Sequence, residues 1–365
     1  MKHMKRILSG CLACFTMFLL LAGCAEQKNL LKPFAKKERA ASYYVALGEY
    51  LGVEAKLIKA EEVTDEILRM NILKTRYDYA EFTKVDRAAQ EGDKVIASYQ
   101  GYMDDELFQG GSASSEEIIL GLGEYVPGFE AGIVGMTAGE TKKVDVRFPD
   151  DYWSEDFAGK AAYFEITVEE VYSAALPEYN DAFVSEKLSY DNVGAFEEAL
   201  AENLKNQFEE EAETKQLQAI WASVRENCTI NSYPEDQVEA YVEEYVNYYT
   251  YLAQYNGLEL DAYLQANYGI TEEEFQKTVL EWAQSEIGDS LIVDAIVEAE
   301  KMELSDEEYE EEKQKLMQSM GYSSDEAFQS AYGSNFEDYY GKDSITKAIL
   351  QDRVYDLVCE NAKLK

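Results

Sequence analysis

The feature that most constrains this 365-residue chain is a run of alternating apolar and polar residues between Gly92 and Tyr172, broken by glycine turns. One alternating stretch ends at Gly101, a second follows Gly139, and a third follows Gly159. Alternation with a period of two places every second side chain on one face of a strand, and glycine turns reverse the chain between strands. The pattern therefore predicts a compact antiparallel sheet.

Between the first two predicted strands lies the run Tyr125-Val126-Pro127-Gly128-Phe129-Glu130-Ala131-Gly132. With the strands around it, this run resembles an FKBP-type peptidyl-prolyl isomerase domain. Two later runs, Phe148 to Tyr152 and Gly159 to Ala162, resemble the version of that domain found in trigger factor. The resemblance covers about 80 residues and keeps its motifs in order. It implies an enzyme that interconverts the cis and trans forms of Xaa-Pro peptide bonds.

The resemblance also implies a pocket of aromatic and aliphatic side chains, with Phe129 as the ring at its floor. The backbone amides of Tyr125 and Val126 are expected to face the carbonyl of the substrate. The pocket residues carried over by motif are Tyr99, Phe108, Gln109, Tyr125, Val126, Phe129, Tyr152 and Phe164. For Tyr99, Phe129 and Phe164, plain packing in the core of the sheet is the alternative.

Gln109 departs from the family pattern, because an acidic residue usually stands at this position. A glutamine side chain donates and accepts hydrogen bonds but carries no charge. Two functions therefore stay open: an active isomerase that also binds unfolded proteins, or a non-catalytic holdase or scaffold with a silent isomerase-like domain.

The composition excludes several other classes of site. His3 is the only histidine and lies in a segment predicted to be removed, so Ser-His-Asp and Cys-His catalysis and histidine-containing zinc sites are excluded from the mature chain. No cofactor or metal is expected. The formal net charge of −39 argues against nucleic acid as a partner, because phosphate backbones require basic surfaces.

The N-terminus has the pattern of an exported protein. Lys2, Lys5 and Arg6 precede an apolar stretch, which is typical of a signal peptide over residues 1–23. The stretch ends in Leu-Ala-Gly followed by Cys24, which resembles a bacterial lipobox and implies lipidation of the Cys24 thiol. The alternative is an ordinary secretory signal with an incidental cysteine. We expect an extracytoplasmic protein, anchored by lipid to the outer face of a bacterial cell membrane.

The rest of the chain predicts an α+β protein with the small sheet domain followed by a helical domain. A polar tether covers residues 24–40, an N-terminal α/β arm residues 41–85, the isomerase domain residues 86–173, and a helical region residues 174–365. The last region resembles the C-terminal part of trigger factor. Capping signatures predict helix starts at Thr64, Thr271 and Ser305. The family's Gly-Phe-Arg-x-Gly-x-x-Pro signature for ribosome docking is absent, so ribosome binding is not expected.

A tyrosine-rich stripe stands out within the predicted helices. Tyr241, Tyr245, Tyr248 and Tyr249 recur at a spacing that places them on a single helical face. One interpretation is a surface that holds unfolded or newly exported polypeptides, since tyrosine offers broad amphipathic contact. The other is a seam between packed helices.

Overall fold

The structure is a computed structural model that describes residues 39–108, 110–150, 152, 154 and 156–365. The predicted signal peptide, Cys24 and most of the predicted tether lie outside these residues. The chain divides into two compact units. The sheet unit is Glu62–Lys205, and the helical unit combines the described residues up to Glu61 with Asn206–Lys365.

Twelve α-helices occur in the described residues. In chain order they are α1 (Ala41–Tyr44), α2 (Asp65–Tyr77), α3 (Phe129–Ile133), α4 (Asp181–Phe183), α5 (Val193–Asn227), α6 (Glu235–Tyr255), α7 (Leu260–Tyr268), α8 (Glu272–Glu300), α9 (Asp306–Ser319), α10 (Asp325–Tyr332), α11 (Phe336–Tyr340) and α12 (Lys342–Asn361). A π-helical segment, Val184–Leu188, follows α4 directly.

The described residues also contain ten β-strands, which together include fewer residues than the helices. In chain order they are β1 (Val45–Ala46), β2 (Glu54–Ala55), β3 (Glu81–Lys84), β4 (Lys94–Met103), β5 (Glu106–Leu107), β6 (Ala113–Ile119), β7 (Thr141–Arg147), β8 (Ala161–Ala175), β9 (Thr229–Ile230) and β10 (Lys363–Leu364).

An antiparallel sheet forms the sheet unit, as the alternating pattern predicts. Its path is β3-β8-β4-β5, with β6 also paired to β4 and β7 also paired to β8. The long strand β8 buries every second side chain from Ala162 to Val168. These buried residues pack on α3, so one face of the sheet carries the core. The predicted α+β class is confirmed, with a helical region after the sheet.

The predicted helix starts are also confirmed. The Thr64 hydroxyl accepts the Ile67 N–H at 3.2 Å and caps α2. Thr271 with Glu274 caps α8, and Ser305 with Glu308 caps α9, each as a capping box. In these boxes side chain and backbone exchange hydrogen bonds, which satisfies amides that the first helical turn leaves unpaired.

The segment predicted as an N-terminal arm, residues 41–85, is divided between the two units. Residues up to Glu61 belong to the helical unit, whereas α2 and β3 belong to the sheet unit. Ala41 and Val45 are buried in the core around α8, and β1 pairs antiparallel with β9. The carboxylate of Glu298 accepts the Ala41 N–H at 2.7 Å. Apolar side chains from the N-terminal and C-terminal parts of the described chain are buried in one core, which explains why the residues up to Glu61 belong to the helical unit.

The C-terminal region is not helical throughout. β9 interrupts it after α5, and β10 ends it by pairing in parallel with β2. In the part of the chain that the structure describes, no helix is long and apolar enough to cross a membrane.

Candidate functional site

The sheet unit contains a cavity of about 310 Å³ lined mainly by aromatic side chains. Seven of the eight pocket residues expected from the sequence line it: Tyr99, Phe108, Tyr125, Val126, Phe129, Tyr152 and Phe164. The eighth, Gln109, lies outside the described residues. The structure thus brings together side chains from β4, α3, β8 and the loops between them, and their catalytic role stays a prediction.

Phe129 lies at the start of α3 and is only 1% exposed. The preceding Gly128 has φ +95°, a left-handed conformation that glycine adopts without steric penalty and that turns the chain into the helix. Tyr99 and Phe164 meet the Phe129 ring edge to face, with centroids 5.1 and 4.9 Å away. This arrangement fixes Phe129 as the floor of the cavity.

The ring of Phe108 depends on two glycines. A Cβ atom at Gly101 would lie 2.6 Å from the Phe108 ring, and one at Gly111 would lie 2.4 Å from it. Both distances are too short for real carbon contacts, so only glycine allows the ring to lie here. Phe108 then contacts Phe164 with centroids 5.8 Å apart.

Several cavity residues were not predicted from the sequence. Phe148 is buried and lies against Tyr152, with ring centroids 4.8 Å apart, and Pro127 and Pro149 also line the cavity. The signal was present for Phe148 and Pro149, because they open one of the two motifs typical of trigger factor. Their packing against Tyr152 was not readable from that motif.

Glu130 is the most important missed residue. Its buried carboxylate accepts four backbone N–H groups, from Gly121 at 2.7 Å, Gly123 at 3.1 Å, Glu124 at 2.8 Å and Tyr125 at 3.3 Å. Hydrogen bonds to an ionised carboxylate are stronger than neutral ones. Glu130 therefore fixes the loop 121–125, which leads directly into the wall formed by Tyr125 and Val126.

One expectation about this wall is wrong. The Tyr125 N–H was expected to face the substrate carbonyl, but it donates to Glu130 inside the loop. The Val126 N–H makes no hydrogen bond to any residue that the structure describes. Val126 is thus the amide of the expected pair that can still donate to a substrate.

The electrostatics of the cavity suit binding rather than proton transfer. Burial raises the pKa of the Tyr99 hydroxyl, and burial together with Tyr99 raises that of Tyr125, so both remain neutral phenols near pH 7. Among the residues that the structure describes, no cluster of His, Cys, Asp and Glu could hold a metal ion.

The tyrosine stripe of α6 lies mostly in a seam between helices. Tyr241 and Tyr245 stack with centroids 4.8 Å apart, and Tyr249 contacts Phe275 of α8 at 4.8 Å. Tyr241 joins the core around α8, and Tyr245 and Tyr249 join a second cluster with α7 and α8. Tyr248 is half-buried beside Tyr249. Three of these four tyrosines therefore pack between helices, as the alternative interpretation of the stripe predicted.

Comparisons with known proteins agree with this architecture. Residues 85–169 match the family "FKBP-type peptidyl-prolyl cis-trans isomerase", and residues 192–360 match "Bacterial trigger factor protein (TF) C-terminus". A trigger factor of Caldicellulosiruptor saccharolyticus is 31% identical over 318 residues, covering 87% of this chain and 70% of the relative. A trigger factor of Shouchella clausii is 31% identical over 325 residues, covering 87% and 72%.

A solved structure from the work "Promiscuous Substrate Recognition in Folding and Assembly Activities of the Trigger Factor Chaperone" aligns with 87% of this chain and 72% of its own, at 21% identity and a TM-score of 0.35. The two family matches follow each other along the chain in the order of the sheet and the helices. Together with the 31% identity to a trigger factor of which this chain covers 70%, they show that this chain belongs to the trigger factor family and contains an FKBP-type isomerase domain.

Proposed function

We propose that the sheet unit catalyses the cis-trans isomerisation of Xaa-Pro peptide bonds. The observation that carries this proposal is the assembly of seven expected side chains around one aromatic cavity, beside the available N–H of Val126. Rotation about the bond crosses a barrier of ~18–20 kcal/mol and needs no covalent step. A catalyst must bind the twisted amide better than either planar form.

The cavity offers what that selectivity requires. A twisted amide loses charge separation and leaves water more readily, so apolar rings such as Phe129 and Phe164 favour it over the planar forms. A hydrogen bond from the Val126 N–H to the carbonyl would hold the residue before proline while the bond rotates. No titratable group has to change its protonation state.

A peptide assay tests this proposal. Residues 25–365 should accelerate the isomerisation of an Xaa-Pro tetrapeptide, and Phe129→Ala should abolish most of the acceleration. Because Phe129 is also a core residue, its loss destabilises the unit by ~3–5 kcal/mol, so melting must be followed by circular dichroism. Tyr102→Ala is the control, since Tyr102 stacks on Tyr163 away from the cavity. A folded Phe129→Ala protein with full activity would contradict the site.

We further propose that the helical unit holds unfolded client polypeptides. Large aromatic side chains stay exposed on α6 and α8, among them Tyr251, Tyr255 and Trp282. Exposed aromatic groups of this kind bind extended chains without demanding one sequence.

Substitution of Tyr251, Tyr255 and Trp282 by serine should weaken binding of a permanently unfolded protein at least about tenfold, as in interfaces where a few aromatic residues dominate. Tyr43→Ser is a matched control, because Tyr43 is 51% exposed and Tyr251 52%. If Tyr43→Ser weakens binding of the unfolded protein as much as the triple substitution does, any exposed tyrosine contributes to binding and the helical unit has no specific client surface.

The second candidate is a non-catalytic holdase or scaffold, and the neutral Gln109 in place of an acid favours it. Gln109→Asp distinguishes the two. For an isomerase we expect equal or higher activity on the tetrapeptide. If the wild-type chain binds unfolded protein but neither it nor the variant accelerates isomerisation, the holdase function replaces the first proposal.

Location is a separate proposal that rests on the sequence around Cys24. We propose a lipid-anchored protein outside the cytoplasm, where its partners are newly exported polypeptides and not the ribosome. The wild-type protein should enter the membrane and detergent fractions, and Cys24→Ser should lose the lipid. A wild-type product without lipid, recovered only in the aqueous fraction, would contradict this location.

A further inference from the structure

The ring of Tyr125 lies flat on the ring of Phe129. Their centroids are 4.6 Å apart and their planes differ by 10°. The other rings around Phe129 meet it nearly at right angles, Tyr99 at 81° and Phe164 at 85°. Tyr125 thus covers a face of the cavity floor, which explains why Phe129 lines the cavity and yet is almost fully buried.

Two further contacts fix Tyr125 in this place. Its ring meets the Tyr99 ring edge to face with centroids 6.3 Å apart, and burial raises the pKa of both hydroxyls, so both phenols are neutral near pH 7. Its backbone N–H donates to Glu130. The backbone contact can persist while the side chain rotates, so the ring can leave Phe129 without unfolding the loop.

We propose that Tyr125 is a specificity-determining residue whose ring occupies the proline subsite of the cavity. The proposal rests on the proposed isomerase function, in which the proline ring of a substrate packs on Phe129. A substrate must displace the Tyr125 ring from its contacts with Phe129 and Tyr99 before it reaches the floor. Short peptides therefore bind weakly, because part of the free energy that they gain on Phe129 is offset by the contacts that Tyr125 loses.

Two substitutions separate the ring from the hydroxyl. Tyr125→Leu keeps an apolar wall but cannot stack on Phe129, so we expect the Kd and the KM for an Xaa-Pro tetrapeptide to fall about three- to tenfold, the range that an aromatic pair contributes. Tyr125→Phe keeps the stack, and its Kd should stay within about twofold of wild type on the same reasoning. Tyr102→Leu is the control, because Tyr102 also stacks on a neighbouring tyrosine, with centroids 5.0 Å apart.

Kd is measured by NMR titration of the full chain from residue 25 with the tetrapeptide, and kcat and KM by the isomerisation rate. Tyr125→Met replaces the leucine variant if the latter melts earlier than wild type. A folded variant without the ring that binds the peptide no better than wild type overturns the proposal. If the variant without the ring binds the peptide and wild type does not, and neither protein catalyses isomerisation, the result supports the covered subsite and contradicts the isomerase function. If no protein binds the peptide, both are overturned.

Discussion

The carboxylate of Glu130 accepts the backbone N–H of Gly121 at 2.7 Å, and the same side chain accepts three more N–H groups of the following loop. The loop carries no secondary structure of its own from Gly123 to Tyr125. A single buried side chain at the start of α3 therefore sets the position of the cavity wall formed by Tyr125 and Val126.

Glu130→Gln should destabilise the sheet unit by about 2–4 kcal/mol, because an amide has one acceptor oxygen and would leave buried N–H groups unpaired. Tetrapeptide isomerisation should fall as the wall loses its fixed position. Urea unfolding and the peptide assay measure the two effects. Glu140→Gln is the control, since Glu140 accepts the Thr137 N–H at 3.0 Å at an exposed site. Equal stability of the two variants would show that the four bonds contribute little.

Gly111→Ala should distort the cavity, because the added Cβ would lie 2.4 Å from the Phe108 ring. We expect a loss of about 1–3 kcal/mol in stability, as for other overpacked sites, and a lower kcat/KM as the ring moves into the cavity. Gly288→Ala is the control, because its Cβ would meet Tyr233 at an ordinary 3.7 Å and alanine favours the helix. If Gly111→Ala is as active and stable as wild type, the Phe108 ring is not confined by these glycines.

Asp352 on α12 should make the helical unit sensitive to pH. Burial raises its pKa to about 7, and the nearby carboxylates of Asp356 and Glu312 act in the same direction. The folded state then binds a proton that the unfolded state has released, so this residue's contribution to stability falls as the pH rises from about 4 to 7. Asp352→Asn should stabilise the protein at pH 8 by on the order of 1 kcal/mol or more, since one pKa unit is about 1.4 kcal/mol.

The measurement is the difference in free energy of unfolding between Asp352→Asn and wild type, from urea titrations at pH 4, 6 and 8. The difference should grow with pH. Asp306→Asn is the control, because the side chain of Asp306 is fully exposed. A difference that stays constant across this range would show that Asp352 does not titrate there.

The sequence predicted the sheet and most of the cavity for a definite physical reason. Strand alternation is local, and the order of Tyr99, Phe129 and Phe164 along the family motifs places them on strands and a helix start whose side chains converge. Thr64, Thr271 and Ser305 cap their helices through contacts within three or four residues, so these starts are readable as well.

The missed features depend on contacts between distant segments or on backbone groups. Glu130 binds four N–H groups, which no side-chain pattern reveals. Val45 pairs with Ile230, about half of the chain away, so the division of the predicted N-terminal arm between two units could not follow from local periodicity. The spacing of Tyr241 and Tyr249 predicted that they share one face of α6. It did not predict that α8 packs against this face.

The central claim is that one chain both holds client proteins and isomerises their prolines. A competition measurement tests this claim most directly. The intact chain from residue 25 is assayed in two reactions side by side: isomerisation of a tetrapeptide and refolding of a protein limited by proline isomerisation, whose uncatalysed phase takes tens to hundreds of seconds. A permanently unfolded, proline-free protein is then added. We predict strong inhibition of catalysed refolding and an unchanged tetrapeptide rate, because the competitor occupies the helical unit and leaves the cavity open. Equal inhibition of both reactions, or of neither, would contradict this account.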